Sequence, residues 1–186
     1  MSDTVTPRSH TPAREGITVR RSIYVLTPDD LYALLRPLLT SAAVIVCIGS
    51  ELHGDDAAGV IIGRELTDQV PWPILKAGLA PESFVVKIAN YRPDTVILID
   101  AVDFGGRAGE VILVDVDRIV GVAAGTHGPS LMPFVEALQL MHRCDLVVLG
   151  IQPLETRVGD DLSPPVRQAV SRVVGAIHAL ADDDGS

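Results

Sequence analysis

The chain has 186 residues, of which 47% are hydrophobic and 21% are charged. This composition is typical of a globular protein with one sizeable core. The formal net charge of −9 at pH 7 argues against a nucleic-acid or anionic-membrane surface, because phosphate groups attract clustered lysine and arginine. The apolar runs are too short to span a bilayer, and the N-terminus lacks the apolar core of a signal peptide. These features predict a soluble cytoplasmic protein. The oligomeric state is left open, with a monomer favoured.

The N-terminal part of the chain divides into two predicted segments. Residues 1–21 mix Thr, Pro, Ser and charged residues without periodicity, which predicts a flexible tail. Residues 22–40 contain a predicted helix with Thr27 as its N-cap. One face of this helix is apolar and carries Leu31, Leu34, Leu35 and Leu38. That face either covers one side of the rest of the fold, which is the favoured interpretation, or docks a partner.

From position 41 to 181, short apolar runs alternate with amphipathic segments. The runs predict strands near residues 44–49, 74–77, 95–99, 110–116 and 145–150. This alternation predicts a mainly parallel, twisted sheet with helices on both faces. A tight glycine turn before residues 110–116 predicts an antiparallel strand at the edge of the sheet. Residues 182–186 are predicted to be a frayed acidic tail.

Ionisable residues follow the predicted strands in three loops. Asp55 and Asp56 come after the first strand, Asp100 and Asp103 after the strand near 95–99, and His127 lies before the helix that leads to the last strand. Because parallel strands end at the same edge of a sheet, the side chains of the first two loops are expected to converge, and His127 reaches that edge if its helix packs in the usual sense. Two carboxylates and an imidazole suit a borderline divalent metal with open positions. The spacing is equally compatible with carboxylates that cap local structure and a surface histidine.

Other kinds of site have weaker support. The serines lack a strand–nucleophile–helix signature, and no Gly-x-Ser-x-Gly elbow is present. The loop after the first strand, GSELHG, lacks the glycine spacing of a dinucleotide or phosphate loop, so no nucleotide or flavin is expected. His53 in this loop is a possible spare ligand or proton carrier, but a solvent-facing histidine is the favoured interpretation.

Several segments, in order and at their separations, resemble one known family. They are IGSELHGDDAAGV, APE at Ala80–Glu82, RPDTVILIDAVDFGGRAGEV, THGPSL and LGIQPLE. They resemble the nickel–iron hydrogenase maturation endopeptidases, especially the subgroup that processes the large subunit of formate-linked hydrogenase. The resemblance covers residues 44–181. It implies a three-layer α/β/α fold with a twisted, mainly parallel five-stranded sheet and a cleft that recognises nickel.

The resemblance also implies a reaction and its residues. Transferred position by position, Asp56, Asp100 and His127 contact nickel, and Asp56 and Asp100 are the catalytic residues of an aspartyl-type endopeptidase. The reaction removes a C-terminal extension from the nickel-loaded precursor of the hydrogenase large subunit, so nickel is expected to arrive with that partner. Whether the metal or an aspartate activates the water is left open.

Two departures from the family pattern keep other functions open. Ser50 stands where the family usually has Asn, and Lys76 stands where it usually has Asp, which is expected to bring positive charge to the rim of the cleft. One alternative is therefore a non-catalytic nickel- or precursor-binding maturation factor on the same fold. A flavodoxin-like small-molecule binder is a further alternative that lacks a phosphate loop.

Overall fold

A computed structural model describes residues 27–116 and 131–184. The strands are β1 (Ala43–Ile48), β2 (Ile74–Gly78), β3 (Thr95–Ala101), β4 (Val111–Asp115) and β5 (Asp145–Ile151). The α-helices of the described ranges are α1 (Pro28–Leu35), α2 (Ala58–Leu66), α3 (Val85–Tyr91), α4 (Met132–Met141) and α5 (Pro164–Asp184). Short 3₁₀ turns, Gly54–Ala57 and Pro81–Phe84, precede α2 and α3. None of these helices has the length and apolar character needed to cross a bilayer.

The strands form one five-stranded sheet in the order β2-β1-β3-β5-β4. β1 pairs in parallel with β2 and β3, β3 pairs in parallel with β5, and β4 is antiparallel to β5 at the edge. This confirms the predicted mainly parallel sheet with one antiparallel edge strand. The chain leaves β1 for β2 on one side and returns to β3 on the other. The carboxyl ends of β1 and β3 therefore flank a topological switch point, where open α/β sheets form ligand crevices.

The sheet lies between two hydrophobic cores, which confirms the three-layer architecture. Alternate strand residues enter opposite cores because successive side chains of a strand point to opposite faces. In β1, Ile45 and Cys47 pack in the core shared with α1, α2 and α5. Val44 and Val46 pack in the core shared with α3 and α4. All six residues of β1 are buried, as expected for a strand covered on both faces.

Helix α1 uses its apolar face within the chain. Thr27 and Asp30 form a capping box at its start, and this satisfies donors that would otherwise lack a partner. Leu31 and Leu35 are fully buried in the core that contains α5. This burial agrees with the favoured interpretation that the helix covers the fold. The predicted tail, residues 1–21, lies outside the described residues.

The acidic C-terminus differs from the prediction of a frayed tail after position 181. Helix α5 continues to Asp184, and the hydroxyl of Tyr32 on α1 donates a hydrogen bond to the carboxylate of Asp183. A contact with α1 therefore extends the helix beyond the apolar residues from which its end was predicted.

Candidate active site

The site forms where the chain turns at Gly49, directly after β1. Gly49 has a φ of 126°, a conformation that strongly favours glycine. A Cβ at this position would lie 2.0 Å from the backbone oxygen of Asp56 and 3.8 Å from Oδ1 of Asp100. The N–H of Ser50 donates to Oδ2 of Asp56 at 2.8 Å and to its backbone oxygen at 3.2 Å. The absence of a side chain at Gly49 therefore leaves room for the backbone of Asp56 on one side and the carboxyl group of Asp100 on the other.

Helix α2 fixes Asp56 above the ends of two strands. A Cβ at Gly59 would lie 2.2 Å from the carbonyl oxygen of Ile48 and 2.4 Å from that of Ile99. The first turn of α2 therefore rests directly on the carboxyl ends of β1 and β3. Because Asp56 lies in the 3₁₀ turn that continues into α2, this close packing places its carboxylate at the switch point.

The two carboxyl groups influence each other electrostatically. Burial and the negative charge of Asp56 raise the pKa of Asp100 to about 7, although a hydrogen bond from the N–H of Ala101 acts in the opposite direction. Burial also raises the pKa of Asp56, and the N–H of Ser50 and the charge of His53 partly offset this effect. A carboxyl pair of this kind can hold a proton close to neutral pH, which suits general acid–base chemistry.

Asp55, next to Asp56 in the sequence, has a structural role. Its side chain is 1% exposed. Oδ2 accepts hydrogen bonds from the N–H of Leu154 at 2.8 Å, the N–H of Glu155 at 3.1 Å and the hydroxyl of Ser163 at 2.9 Å. Oδ1 accepts from the N–H of Ser163 at 2.7 Å. Asp55 thus anchors the loop after β5, a role for which the sequence gives no signal.

Asp103 belongs to a loop and not to the carboxyl pair. Oε1 of the buried Gln152 accepts hydrogen bonds from the N–H groups of Phe104 and Gly106 at 2.9 and 3.0 Å, and its Nε2 donates to Oδ1 of Asp103 at 3.0 Å. The hydrogen bonds from Gln152 and from the N–H of Gly105 lower the pKa of Asp103, which is exposed. Gln152 therefore fixes the loop after β3, a role for which no motif in the sequence gives a signal.

Ser50 and His53 form a pair beside the carboxylates. The Oγ of Ser50 lies 2.6 Å from Nδ1 of His53 and accepts a longer hydrogen bond from the N–H of Leu52 at 3.4 Å. His53 is partly exposed, and its charge lowers the pKa of Asp56. The ring thus lies at the border between solvent and the site. Ser50 holds Asp56 through its backbone N–H, a contact that Asn at this position would also provide.

Lys76 lies in β2 in register with Cys47, not at the carboxyl end of the strand. A Cβ at Gly63 of α2 would lie 3.1 Å from its Cγ, so the stem of Lys76 packs against α2. Its charge acts on the Cys47 thiol, whose pKa burial raises to about 12. Strand register thus directs the stem of the exposed Lys76 along α2, and the prediction that its charge reaches the rim of the cleft stays a prediction.

The third predicted nickel contact, His127, lies outside the described residues. Within 27–116 and 131–184, no group of three or more His, Cys, Asp or Glu side chains is arranged to hold a metal ion. Asp56 and Asp100 lie close enough for the charge of Asp56 to act on Asp100, and a nickel site formed by these two residues and His127 stays a prediction.

Comparison with known proteins shows that the chain is a peptidase, and it also shows the family to which the chain belongs. The model of the family described as "Hydrogenase maturation protease" matches residues 62–180. The chain is 29% identical over 145 residues to the Hydrogenase 3 maturation protease of Escherichia coli (strain K12), with 76% of this chain and 92% of the relative covered. It is similar to a crystal structure of a NiFe hydrogenase maturation protease from Thermococcus kodakarensis, with a TM-score of 0.73 and 32% identity over 80% of this chain and 99% of that chain. The solution structure of an Escherichia coli endopeptidase gives a TM-score of 0.67 at 27% identity, with 74% and 90% of the two chains covered. The chain belongs to the hydrogenase maturation protease family.

Proposed function

We propose that the protein is a cytoplasmic endopeptidase that removes a C-terminal extension from the nickel-loaded large-subunit precursor of a NiFe hydrogenase. The observation that carries this proposal is the approach of Asp56 and Asp100 around Gly49, at the switch point of a sheet shared with proteases of this family. The working partner is the precursor, and the protein acts on it as a monomer.

Asp56, Asp100 and His127 are the proposed contacts for the nickel of the precursor. Carboxylate oxygens and an imidazole nitrogen are suitable ligands for a borderline divalent ion. Because these residues form only part of a coordination sphere, the precursor has to supply the remaining ligands. A precursor without nickel would lose these contacts and bind less productively. The site would thereby test whether nickel has been inserted before the extension is removed.

Asp56 and Asp100 also provide the groups that peptide hydrolysis requires. One carboxylate accepts a proton from the water whose oxygen attacks the scissile carbonyl carbon, and the other carboxyl group donates a proton to the leaving nitrogen as the C–N bond breaks. Without metal, Asp100 has a pKa raised to about 7 and is the better proton donor of the two near neutral pH, whereas coordination to nickel would lower this pKa. Bound nickel would supply Lewis-acid polarisation in the same place.

The test is to incubate the purified protein with nickel-loaded and nickel-free precursor and to follow the precursor mass over time. We expect a C-terminal peptide to be lost from the loaded form only. Asp56→Ala should abolish this loss. Asp103→Asn is the matched control, because Asp103 is exposed and an Asn oxygen can still accept the hydrogen bond from Gln152. Processing by Asp56→Ala at the wild-type rate would contradict the proposal.

The alternative is a maturation factor that binds nickel or the precursor without cleaving it. The departures from the family pattern at Ser50 and Lys76 are the features that favour it. The backbone N–H of Ser50 donates to Asp56 at 2.8 Å, so this contact does not depend on which side chain stands at position 50, and this argues against the alternative. Binding of the loaded precursor with no change in its mass would favour this alternative over the endopeptidase.

A further inference from the structure

Three exposed apolar side chains lie on the loops that border the carboxyl pair. Leu52 is 69% exposed, Leu154 is 64% exposed and Val158 is 73% exposed. We call these residues the loop patch. Single exposed apolar residues are common on protein surfaces, whereas a cluster beside a site more often marks an interaction surface.

Hydrogen bonds hold the loops of the patch together. The N–H of Gly159 donates to the carbonyl oxygen of Leu52 at 2.9 Å, which places Val158 beside Leu52. The N–H of Asp55 donates to the carbonyl oxygen of Glu155 at 3.0 Å, and the Asp55 carboxylate accepts from the N–H of Leu154. Loops 50–56 and 152–163 therefore form one surface that continues to Asp56.

The same surface is negatively charged. Glu51, Asp160 and Asp161 are exposed on these two loops. Arg157 is their single Lys or Arg, and its Nε lies 2.7 Å from Oε1 of Glu155. Since both loops lie wholly within the described residues, their combined surface is apolar and acidic, with its one strong cation already paired.

We infer that the loop patch binds an extended segment of the large-subunit precursor that carries apolar and basic side chains and flanks the bond to be cleaved. The inference rests on the proposed function, and the continuity of the patch with Asp56 places such a segment beside the reacting groups. Apolar side chains of the segment cover Leu52, Leu154 and Val158, while the surrounding carboxylates favour basic side chains and disfavour acidic ones. The net charge of −9 disfavours a second copy of this chain as the occupant.

The first test compares the double variant Leu52→Ser/Val158→Ser with wild type in cleavage of the nickel-loaded precursor. We expect KM to rise roughly tenfold, as the loss of two apolar contacts implies, while kcat and the unfolding temperature stay close to wild type. Leu140→Ser is the matched control, because Leu140 is 89% exposed. It lies near the C-terminus of α4, next to the start of β5 and therefore away from the carboxyl ends of the strands near Asp56. An unchanged KM in the double variant would overturn the inference.

The second test addresses charge. Asp160→Lys/Asp161→Lys should raise KM, and the wild-type KM should rise with ionic strength because salt screens exposed charges. Glu136→Lys on α4 is the control for a charge reversal at an exposed position. An unchanged KM in the Asp160/Asp161 variant would overturn the preference for basic side chains.

A binding measurement with the same precursor separates this inference from the proposed function. If wild type cleaves the precursor and the Leu52/Val158 variant has an unchanged KM, the inference fails while the endopeptidase stands. If wild type binds without cleaving and the variant binds more weakly, the endopeptidase fails while the patch stands. If sedimentation shows a wild-type dimer that the variant loses without a change in KM, the occupant is a second copy and the inference fails.

Discussion

Replacing the buried carboxylate of Asp55 should strongly lower the free energy of unfolding, whereas replacing the carboxylate of its neighbour Asp56 should not. Asp55→Asn keeps the shape of the side chain but replaces one acceptor oxygen with an NH₂ group. If the amide oxygen occupies the Oδ2 position, the NH₂ group faces the N–H of Ser163, which in the wild type donates to Oδ1 at 2.7 Å. If the amide is flipped, the NH₂ faces the N–H groups of Leu154 and Glu155. Either orientation therefore leaves at least one buried donor without an acceptor.

The size of the effect follows from these contacts. A hydrogen bond to a charged group contributes about 1.5–3 kcal/mol, and a buried donor without a partner costs about 1–3 kcal/mol. The cost of burying the wild-type carboxylate offsets part of the stability that these hydrogen bonds contribute. We therefore expect Asp55→Asn to lower the free energy of unfolding by about 3 kcal/mol. For a protein of this size, that corresponds to an unfolding temperature lower by about 6–12 °C.

The assay combines urea denaturation with limited proteolysis. Trypsin should cleave after the exposed Arg157 faster in Asp55→Asn than in wild type, because this side chain lies in the loop that Asp55 anchors. Asp56→Asn is the control, since Asp56 is only partly buried and its amide oxygen can still accept from the N–H of Ser50. Equal stability of Asp55→Asn and Asp56→Asn would refute the assignment of a structural role to Asp55.

Three further predictions concern other parts of the site. Asp100 keeps its proton up to a pH of about 7 in the folded protein but releases it near pH 4 when unfolded. The free energy of unfolding of the metal-free protein should therefore fall by up to about 4 kcal/mol as the pH rises from about 4 to about 7. Asp100→Asn should flatten this pH dependence, measured by urea denaturation. Gly59→Ala should cost about 2–4 kcal/mol because its Cβ would meet two backbone oxygens, whereas Gly175→Ala, with nothing within 4 Å, should stabilise the protein slightly in a thermal melt. Gln152→Ala should cost about 2–3 kcal/mol and increase amide exchange in loop 103–106, since two N–H groups lose their acceptor.

Much of the fold could be predicted because its strands and helices have local sequence signals. The apolar run of β1, the proline starts of α1 and α5 and the glycine turn before β4 each lie within a few residues of the element they define. The order of the strands was not predicted, since the position of β5 between β3 and β4 depends on packing between segments far apart in sequence. The segment after β1 forms a 3₁₀ turn, Gly54–Ala57, that continues into α2.

The site could be predicted to the extent that sheet topology alone defines it. Asp56 follows β1 and Asp100 lies at the carboxyl end of the neighbouring parallel strand β3, so their position at the same edge could be expected from the order of elements. The roles of Asp55 and Gln152 could not, because their hydrogen bonds join residues separated by 99 and 48 positions, respectively. The direction of Lys76 was also beyond the sequence, because it depends on the register of β2 against β1.

The different roles of Asp55 and Asp56 have a geometric cause. Both lie in the 3₁₀ turn Gly54–Ala57, and a 3₁₀ helix has three residues per turn, so adjacent side chains point about 120° apart. One carboxylate is thereby directed to the loop after β5 and the other to Ser50 and Asp100. The first orders the loop that carries Leu154 and Val158, and the second contributes to the reacting pair. A single short turn thus positions both the proposed binding surface and the proposed catalytic groups, which explains why two consecutive acids occur at this point in the chain.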